Sequence, residues 1–275
     1  MFREVVRATL PPMSIDLHST MTGSGDPVVL VHGSWSDHTI WDLVAPDLAR
    51  SFTVIACDRR GYGASPSGRP ATLRDQEDDL ARLIERLDRG PVHLAGTSFG
   101  GSIALGVAAR RPDLVRAVVA HEPPLAGLVE ASPEIQAAVE TVDQVIARID
   151  TGDAEGAAAQ FVEEVALGPG AWDMLPPPVR AMMIGSAAAF RDEQRDPAWN
   201  HIAPDALGDI TCPVTLTQGD MSPSWFRPIV TRLAGLVPHA VVHEYPGAGH
   251  APHATHPADW CAHVSHVLGL QGATR

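Results

Sequence analysis

The chain contains no lysine, so all 20 of its basic side chains are arginines. Aspartate and glutamate together number 33, which leaves a formal net charge of −13. A protein that binds nucleic acid needs a basic surface to neutralise phosphates, and this composition offers none. We therefore expect no nucleic-acid partner.

Long hydrophobic runs are also missing, since stretches such as Pro27–Val31 and Val115–Ala120 are far too short to span a bilayer. The amino-terminal residues contain no continuous apolar segment followed by a small-residue cleavage site, so they do not resemble a signal peptide. The cysteines Cys57, Cys212 and Cys261 are widely spaced and form no C-x-x-C pattern, which is typical of reduced thiols. We expect a cytoplasmic protein with no membrane partner.

Apolar material for a large core is present, because 45% of the 275 residues are hydrophobic. Short, valine-rich runs predict strands that are buried on both faces. Amphipathic patterns between them predict helices, and this alternation favours the α/β class, with a mostly parallel sheet flanked by helices. The predicted strands are Pro27–Val31, Phe52–Cys57, Pro91–Ala95, Val115–Ala120, Pro213–Thr217 and Ala240–Tyr245, and the predicted helices of the core are Leu73–Leu87, Ser98–Arg111 and Asp259–Leu268.

The alternation of strands and helices stops between residues 125 and 207. This segment contains helical patterns only, and no strand-like run falls inside it. We therefore predict an α/β core formed by residues 13–124 and 208–275, with residues 125–207 inserted as a helical cap. The predicted cap helices are Ser132–Asp150, Asp153–Ala166 and Val179–Arg191.

A G-x-S-x-G pattern, Gly96-Thr97-Ser98-Phe99-Gly100, lies between a predicted strand and a predicted helix. A nucleophilic serine is held in this context on a sharp strand-to-helix turn. The neighbouring strand and helix leave room only for glycine two residues before and two residues after the serine. The pattern therefore predicts that Ser98 is a catalytic nucleophile.

A histidine follows the last predicted strand in the segment Gly247-Ala248-Gly249-His250. A loop at this place brings His250 over the carboxyl edge of the sheet, where it can take the proton of Ser98 and return it to the leaving group. The order along the chain, serine first and histidine last, is that of the α/β hydrolases and of no other serine triad. We therefore predict that His250 is the general base.

An oxyanion hole is predicted from His32-Gly33-Ser34-Trp35, which follows the first predicted strand. We expect the backbone N–H groups of Ser34 and Phe99 to bind the oxyanion, and loss of one such donor costs about 3 kcal/mol of transition-state stabilisation. We expect His32 to hold the loop through hydrogen bonds rather than to transfer protons.

Four segments, HGSW, CDRRGYGAS, GTSFGG and PGAGH, resemble in this order the α/β-hydrolase superfamily over residues 13–268. The resemblance implies a pocket between the cap and the carboxyl ends of the strands, and it implies no cofactor and no metal. We expect a serine hydrolase that cleaves a carboxylic ester or a lactone through an acyl-serine intermediate. Hydrolysis of a C–C bond, perhydrolysis and acyl transfer on the same triad stay open as alternatives, as does a non-catalytic protein that binds small molecules.

The triad also needs a carboxylate that orients His250. In most relatives this acid lies three residues beyond a glycine, after the strand that precedes the histidine strand. Ser222 occupies that position here, and Asp220 lies two residues too early. Some members of the superfamily place the acid instead at the end of the strand after the nucleophile helix, which corresponds here to Glu122. We favour Glu122 as the triad acid and keep Asp220 as the alternative.

Aromatic and methionine side chains in the loops and in the predicted cap favour an apolar acyl or ring substrate. We therefore expect a small-molecule partner, an apolar ester or lactone, and the sequence leaves homo-oligomerisation open. The residues that we expect to bind this substrate are Trp35, Met182, Met183, Phe190 and Trp225.

Four histidines cluster near the carboxyl terminus, at positions 253, 256, 263 and 266. They lack the spacing and the supporting carboxylate of a zinc site, so we expect surface histidines and no metal.

Overall fold

The computed structural model describes residues 15–68 and 70–272. Residues 13 and 14, with which the predicted core begins, therefore lie outside the described residues. Seven strands form one sheet in the order β1-β3-β2-β4-β5-β6-β7. The strands are β1 (Ser19–Gly23), β2 (Asp26–Val31), β3 (Phe52–Cys57), β4 (Val92–Thr97), β5 (Val115–His121), β6 (Val214–Gly219) and β7 (Val241–Tyr245).

Strands β2 to β7 run parallel to one another, and only β1 is antiparallel, to β3. Strands β3, β4 and β6 are buried along their whole length, which explains why the sequence shows continuous apolar runs rather than alternation. The predicted α/β class with a mostly parallel sheet is confirmed. Strand β1 was not predicted, because its residues, STMTG, lie mostly exposed at the edge of the sheet and carry no apolar run.

Helices cover both faces of this sheet. They are α1 (Ala45–Leu48), α2 (Leu73–Leu87), α3 (Phe99–Arg110), α4 (Pro133–Asp150), α5 (Ala154–Gln160), α6 (Ala171–Met174), α7 (Pro177–Gly185), α8 (Ala187–Gln194), α9 (Pro204–Gly208), α10 (Phe226–Leu236), α11 (Pro252–Thr255) and α12 (Pro257–Gly272). Shorter 3-10 helices lie at His38–Trp41, Pro112–Leu114 and Ala126–Leu128, and a π-helix lies at Phe161–Ala166. Helices α2, α3 and α10 contribute to the core on one face, and α1 and α12 contribute to the core on the other.

Between β5 and β6 lies the segment that we call the cap segment (residues 125–207), which contains helices α4 to α8 and all but the last residue of α9. No residue of this segment forms a strand, as the sequence predicts, and its division from the core stays a prediction. The single helix predicted at Val179–Arg191 is wrong, because the structure has two helices there. The break falls at Ser186, whose Oγ donates to Met183 O at 2.9 Å and so competes with the helical hydrogen bonds.

None of the helices in the part of the chain that the structure describes is long and apolar enough to cross a membrane.

Candidate active site

Ser98 lies at the turn between β4 and α3 with φ 51° and ψ −126°, a backbone conformation that L residues rarely adopt. A Cβ atom on Gly96 would lie 2.4 Å from Gly100 O, and one on Gly100 would lie 2.2 Å from Val31 O. Only glycine therefore fits at these two positions, as the G-x-S-x-G pattern predicts. The turn leaves the side chain of Ser98 half-buried at the carboxyl edge of the sheet.

The sheet places Glu122 beside Ser98. Thr97 at the end of β4 pairs with His121 at the end of β5, so the residues that follow them leave the sheet side by side. Ser98 N donates to His121 O at 2.7 Å, and Glu122 N donates to Thr217 O at 3.0 Å. Glu122 has a φ of 43°, so both residues turn out of their strands in the left-handed region.

The imidazole of His250 contacts the carboxylate of Glu122, with 2.6 Å between Nδ1 and Oε2. The second carboxylate oxygen accepts a hydrogen bond of 2.8 Å from Gly219 N. A carboxylate can only accept a hydrogen bond, so Nδ1 of the ring is the donor and carries a proton. In the neutral ring the other nitrogen, Nε2, therefore has a lone pair that can take a proton. The ring also stacks on Phe226, with 4.3 Å between the ring centroids.

No hydrogen bond joins Ser98 Oγ to His250 among the residues that the structure describes. Catalytic hydrogen bonds of this kind commonly tighten only when a substrate binds. The connection between the two residues is the pair of adjacent strands that places Glu122, the partner of His250, next to Ser98.

Glu122 is fully buried and remains a carboxylate. Burial opposes its ionisation, but the nearby ring of His121 and the hydrogen bond from His250 outweigh that cost and hold the pKa of the carboxyl well below its usual range. The ring of His121 is fixed by a contact of 2.9 Å between its Nδ1 and Thr217 Oγ1. Its Nε2 lies 3.5 Å from Glu122 Oε2. The site thus contains a buried negative charge beside the Nδ1 atom of His250.

Asp220, the alternative acid, lies at the end of β6 and contacts a different loop. Its Oδ1 accepts a hydrogen bond of 2.7 Å from Gly247 N. A shift of two residues along this turn directs the carboxylate to the backbone of the glycine-rich loop instead of to the imidazole of His250. Asp220 therefore fixes the path of the loop that carries His250.

The loop after β2 lies against the nucleophile. A Cβ atom on Gly33 would be 3.0 Å from Ser98 Cβ and 3.7 Å from Ser98 Oγ. Ser34, one of the two expected oxyanion donors, follows directly. The other donor, Phe99, is the first residue of α3, so its N–H has no acceptor within the helix. Both backbone N–H groups therefore belong to segments that meet at Ser98.

His32 holds this loop, as expected from the sequence. Arg59 N donates to His32 Nε2 at 2.9 Å, so the proton of the neutral ring is on Nδ1, which donates to Gly33 O at 2.7 Å. Burial, together with the nearby charge of Arg59, holds the pKa of His32 well below its usual value. The ring therefore stays neutral and acts as a fixed hydrogen-bonding group.

Comparison with known proteins agrees with this geometry. Residues 28–264 match the model of the alpha/beta hydrolase family. The chain belongs to this family.

Three curated relatives of this hydrolase show how wide the family is. The chain is 32% identical to the pimeloyl-[acyl-carrier protein] methyl ester esterase of Chromobacterium violaceum, over 90% of this chain and 96% of that protein. It is 30% identical to the 2-(acetamidomethylene)succinate hydrolase of Mesorhizobium japonicum, over 86% and 85%. The match to lipase LipV of Mycobacterium tuberculosis is 35% identical but spans only 61% of this chain and 60% of the lipase.

The five residues expected to bind substrate in this hydrolase lie in or against the cap segment. Trp35 and Phe190 are both almost fully buried, with 4.6 Å between their ring centroids. Trp225 is buried against Phe226, and its Nε1 donates to Val165 O in the cap segment at 3.0 Å. Met183 is buried and Met182 is partly buried, as parts of the same apolar core. Their role in binding substrate stays a prediction.

Several contacts around the site of this hydrolase were not predicted from the sequence. Phe226 and His121 pack against His250 or Glu122, and neither belongs to a recognisable pattern. The ion pair between Arg59 and Glu193 was missed as well. Arg59 lies inside the motif CDRRGYGAS, but nothing local in the sequence indicates a partner in the cap segment.

The four carboxyl-terminal histidines of the hydrolase do not come together. The expectation that all of them lie on the surface is wrong for His253, which is buried in contact with the rings of Trp41 and Trp260. Burial lowers its pKa to about 3. The groups that the structure does bring together, within its described residues, are His18 with His38 and Asp58, and His121 with Glu122 and His250.

The carboxylate of Asp58 already accepts four hydrogen bonds, so its cluster is explained without a metal. Oδ1 accepts from the backbone N–H and from Nδ1 of His38, at 2.8 and 2.7 Å. Oδ2 accepts from His18 Nδ1 at 3.0 Å and from Ala64 N at 2.9 Å. This buried carboxylate ties the turn after β3 to the loop after β2.

Proposed function

We propose that the chain is a serine hydrolase that cleaves a carboxylic ester or a lactone through an acyl-enzyme on Ser98. The observation that carries the proposal is the contact between His250 Nδ1 and the buried carboxylate of Glu122, next to a serine on a strained turn. A buried carboxylate that orients a histidine beside such a serine is the arrangement that acyl transfer requires.

In the first half of the reaction His250 Nε2 takes the proton of Ser98 Oγ while the oxygen attacks the ester carbonyl. The carbonyl oxygen becomes an oxyanion, which accepts hydrogen bonds from the N–H groups of Ser34 and Phe99. When the intermediate collapses, the ester C–O bond breaks and His250 returns the proton to the departing alcohol. The ionised Glu122 stabilises the imidazolium between these two proton transfers.

In the second half water takes the place of the alcohol. His250 removes a proton from water, the hydroxide attacks the acyl carbonyl, and the bond to Ser98 Oγ breaks as the serine regains its proton. The acid leaves and the enzyme returns to its starting state. The apolar surroundings formed by Trp35, Phe190 and Trp225 support an apolar acyl group.

Covalent labelling tests the proposal. A fluorophosphonate is expected to add to one serine of the wild-type protein, located by mass spectrometry at Ser98, and not to label Ser98→Ala. Wild type is also expected to hydrolyse p-nitrophenyl butyrate, with the activity lost in Ser98→Ala. Equal labelling of both proteins, or activity in Ser98→Ala, would contradict the proposal.

A panel of substrates separates the proposed reaction from its alternatives. Release of acid from p-nitrophenyl esters and from a γ-lactone supports the ester or lactone class. Cleavage of a vinylogous 1,5-diketone with little ester hydrolysis would point to a C–C bond hydrolase on the same residues, and labelling without any turnover would point to a binding protein.

A further inference from the structure

Arg59 is a buried cation beside the proposed oxyanion hole. Its guanidinium donates to Gly33 O at 2.9 Å, to Gln76 Oε1 at 2.6 Å and to Glu193 Oε2 at 2.8 Å. Only 3% of the Arg59 side chain and 2% of the Glu193 side chain are exposed. A buried arginine with three acceptors in fixed directions is held in one geometry, and it imposes that geometry on its partners.

The bond to Gly33 O matters because this oxygen belongs to the same peptide unit as the N–H of Ser34. A peptide unit is planar, and its C=O and N–H point in opposite directions. Donors that hold Gly33 O on one side therefore aim the N–H of Ser34 toward the other. Besides Arg59, the ring of His32 and the hydroxyl of Ser36 donate to this oxygen, at 2.7 and 3.0 Å.

The same guanidinium also contacts the second expected donor residue. Its central carbon lies 5.1 Å from the ring centroid of Phe99 and 4.5 Å from that of Tyr62. These distances are within the range of cation–π attraction. Arg59 therefore contacts both the peptide unit that carries the N–H of Ser34, through Gly33 O, and the ring of Phe99, whose N–H is the second proposed donor.

Glu193 connects this arrangement to the cap segment. It lies in α8, and its Oε1 accepts a hydrogen bond from the hydroxyl of Ser34 while its Oε2 pairs with Arg59. Three residues further on, Asp196 accepts from Leu73 N at 2.7 Å, at the start of α2. The end of α8 is thus bound both to the oxyanion loop and to the core.

We propose that Arg59 is a positioning residue that orients the Ser34 peptide for the oxyanion, and that Glu193 couples this orientation to the docking of the cap segment. The inference rests on the proposed function of Ser98 and its oxyanion hole. When α8 is in place, Arg59 is held against Gly33 O and the N–H of Ser34 points into the site. When α8 moves away, Arg59 loses its counter-charge and Ser34 loses its side-chain acceptor, so the oxyanion hole loosens. The hydrolase is therefore fully active only with its cap segment docked.

The test compares Arg59→Met and Glu193→Gln with Asp79→Asn. Asp79 lies in α2 and forms an equally buried ion pair with the neighbouring Arg60, at 2.7 Å. Its carboxylate also accepts from Ile15 N, at 2.8 Å, and not from the oxyanion loop. All activities are expressed per serine labelled by fluorophosphonate, so that a loss of folded protein does not count as a loss of rate. We expect kcat to fall about 10- to 100-fold in both test variants, with KM within about threefold, because a misplaced donor costs less than a deleted one.

Two further readouts separate positioning from simple destabilisation. Butaneboronic acid, whose adduct on Ser98 is a tetrahedral boronate anion with an oxygen in the place of the oxyanion, is expected to bind more weakly by the same factor as the loss in kcat. Amide hydrogen exchange in residues 32–36 is expected to accelerate in Arg59→Met and Glu193→Gln, and not in Asp79→Asn. Arg59→Lys keeps the charge without the planar fork and is expected to recover only part of the rate.

The opposite results overturn the inference. Unchanged kcat per labelled serine in both variants, or unchanged exchange in residues 32–36, shows that Arg59 does not position the loop. A fall in kcat of equal size in Asp79→Asn shows a general effect of destabilisation. The exchange experiment needs no turnover, so its outcome stands even if wild type fails to label at Ser98, a result that would refute the proposed function alone.

Discussion

Replacing Glu122 by glutamine exchanges one buried carboxylate oxygen for an amide nitrogen at nearly constant volume. In the wild type the two oxygens accept from different donors, His250 Nδ1 at 2.6 Å and Gly219 N at 2.8 Å. Glutamine has a single oxygen, so it can accept from only one of the two. The substitution therefore tests the role of the carboxylate with little change in packing.

The size of the effect follows from these two contacts. If the amide NH₂ group faces His250, the ring must accept at Nδ1 and carry its proton on Nε2, where it cannot take the proton of Ser98. If the oxygen faces His250, the NH₂ group meets the N–H of Gly219 and a buried donor loses its acceptor. In both orientations the imidazolium has lost its counter-charge. The corresponding aspartate-to-asparagine change in the serine protease triad lowers kcat about 10⁴-fold, which is roughly 5 kcal/mol.

We expect Glu122→Gln to lower kcat for p-nitrophenyl butyrate by about 10³- to 10⁴-fold. Asp220→Asn is the matched control, because it makes the same chemical change at the alternative acid, and we expect its kcat to stay within about tenfold of wild type. Circular dichroism of both variants checks that they fold. Near wild-type activity in Glu122→Gln, combined with a large loss in Asp220→Asn, would refute the assignment of the acid.

Two further predictions concern buried positions. Burial lowers the pKa of His253 to about 3 in the folded protein, whereas the unfolded chain takes up a proton at this residue near pH 6.5. His253 therefore makes the folded protein less stable as the pH falls from about 6.5 toward 3. Between pH 7 and pH 4, the free energy of unfolding measured in urea titrations is expected to fall by about 3 kcal/mol less in His253→Leu than in wild type. The control is the substitution of an exposed histidine, His201→Leu, whose fall is expected to equal that of wild type. Gly100→Ala is expected to destabilise the fold by roughly 3 kcal/mol or more, since its methyl group would meet Val31 O. Gly235→Ala, where the added Cβ meets nothing within 4 Å, should be neutral or stabilising by up to about 1 kcal/mol in thermal unfolding.

The sequence predicted best those strands and helices whose pattern lies within a single segment of the chain. Strand β3 and helix α2 have the predicted bounds, because a continuous apolar run and an amphipathic stripe are local patterns. Strand β1 was missed since an exposed edge strand needs no such run. The break at Ser186 was missed because a serine hydroxyl that competes with helical hydrogen bonds leaves no trace in the spacing of apolar residues.

In the candidate site, too, local features were predicted from the sequence and contacts between distant residues were predicted less well or not at all. The glycines around Ser98 follow from the crowding of one turn, so the pattern alone indicates them. The contact between Glu122 and His250 spans 128 positions and was expected only as one of two alternatives. The pair of Arg59 with Glu193 spans 134 positions and was not expected, because charge complementarity across a fold has no local pattern.

Because the proposed acid, Glu122, directly follows β5, the turn after β6 supplies no catalytic residue under the proposed mechanism. The nucleophile and the acid are both fixed by the pairing of Thr97 with His121 in the middle of the sheet. The side chains of residues 222–224 can therefore vary without disturbing proton transfer, provided that Asp220 keeps its bond to Gly247 and Met221 N keeps its bond to Ala248 O. Directed evolution of substrate preference would have its most permissive target in that turn, which leads to Trp225 and so to the bond between Trp225 Nε1 and Val165 O of the cap segment.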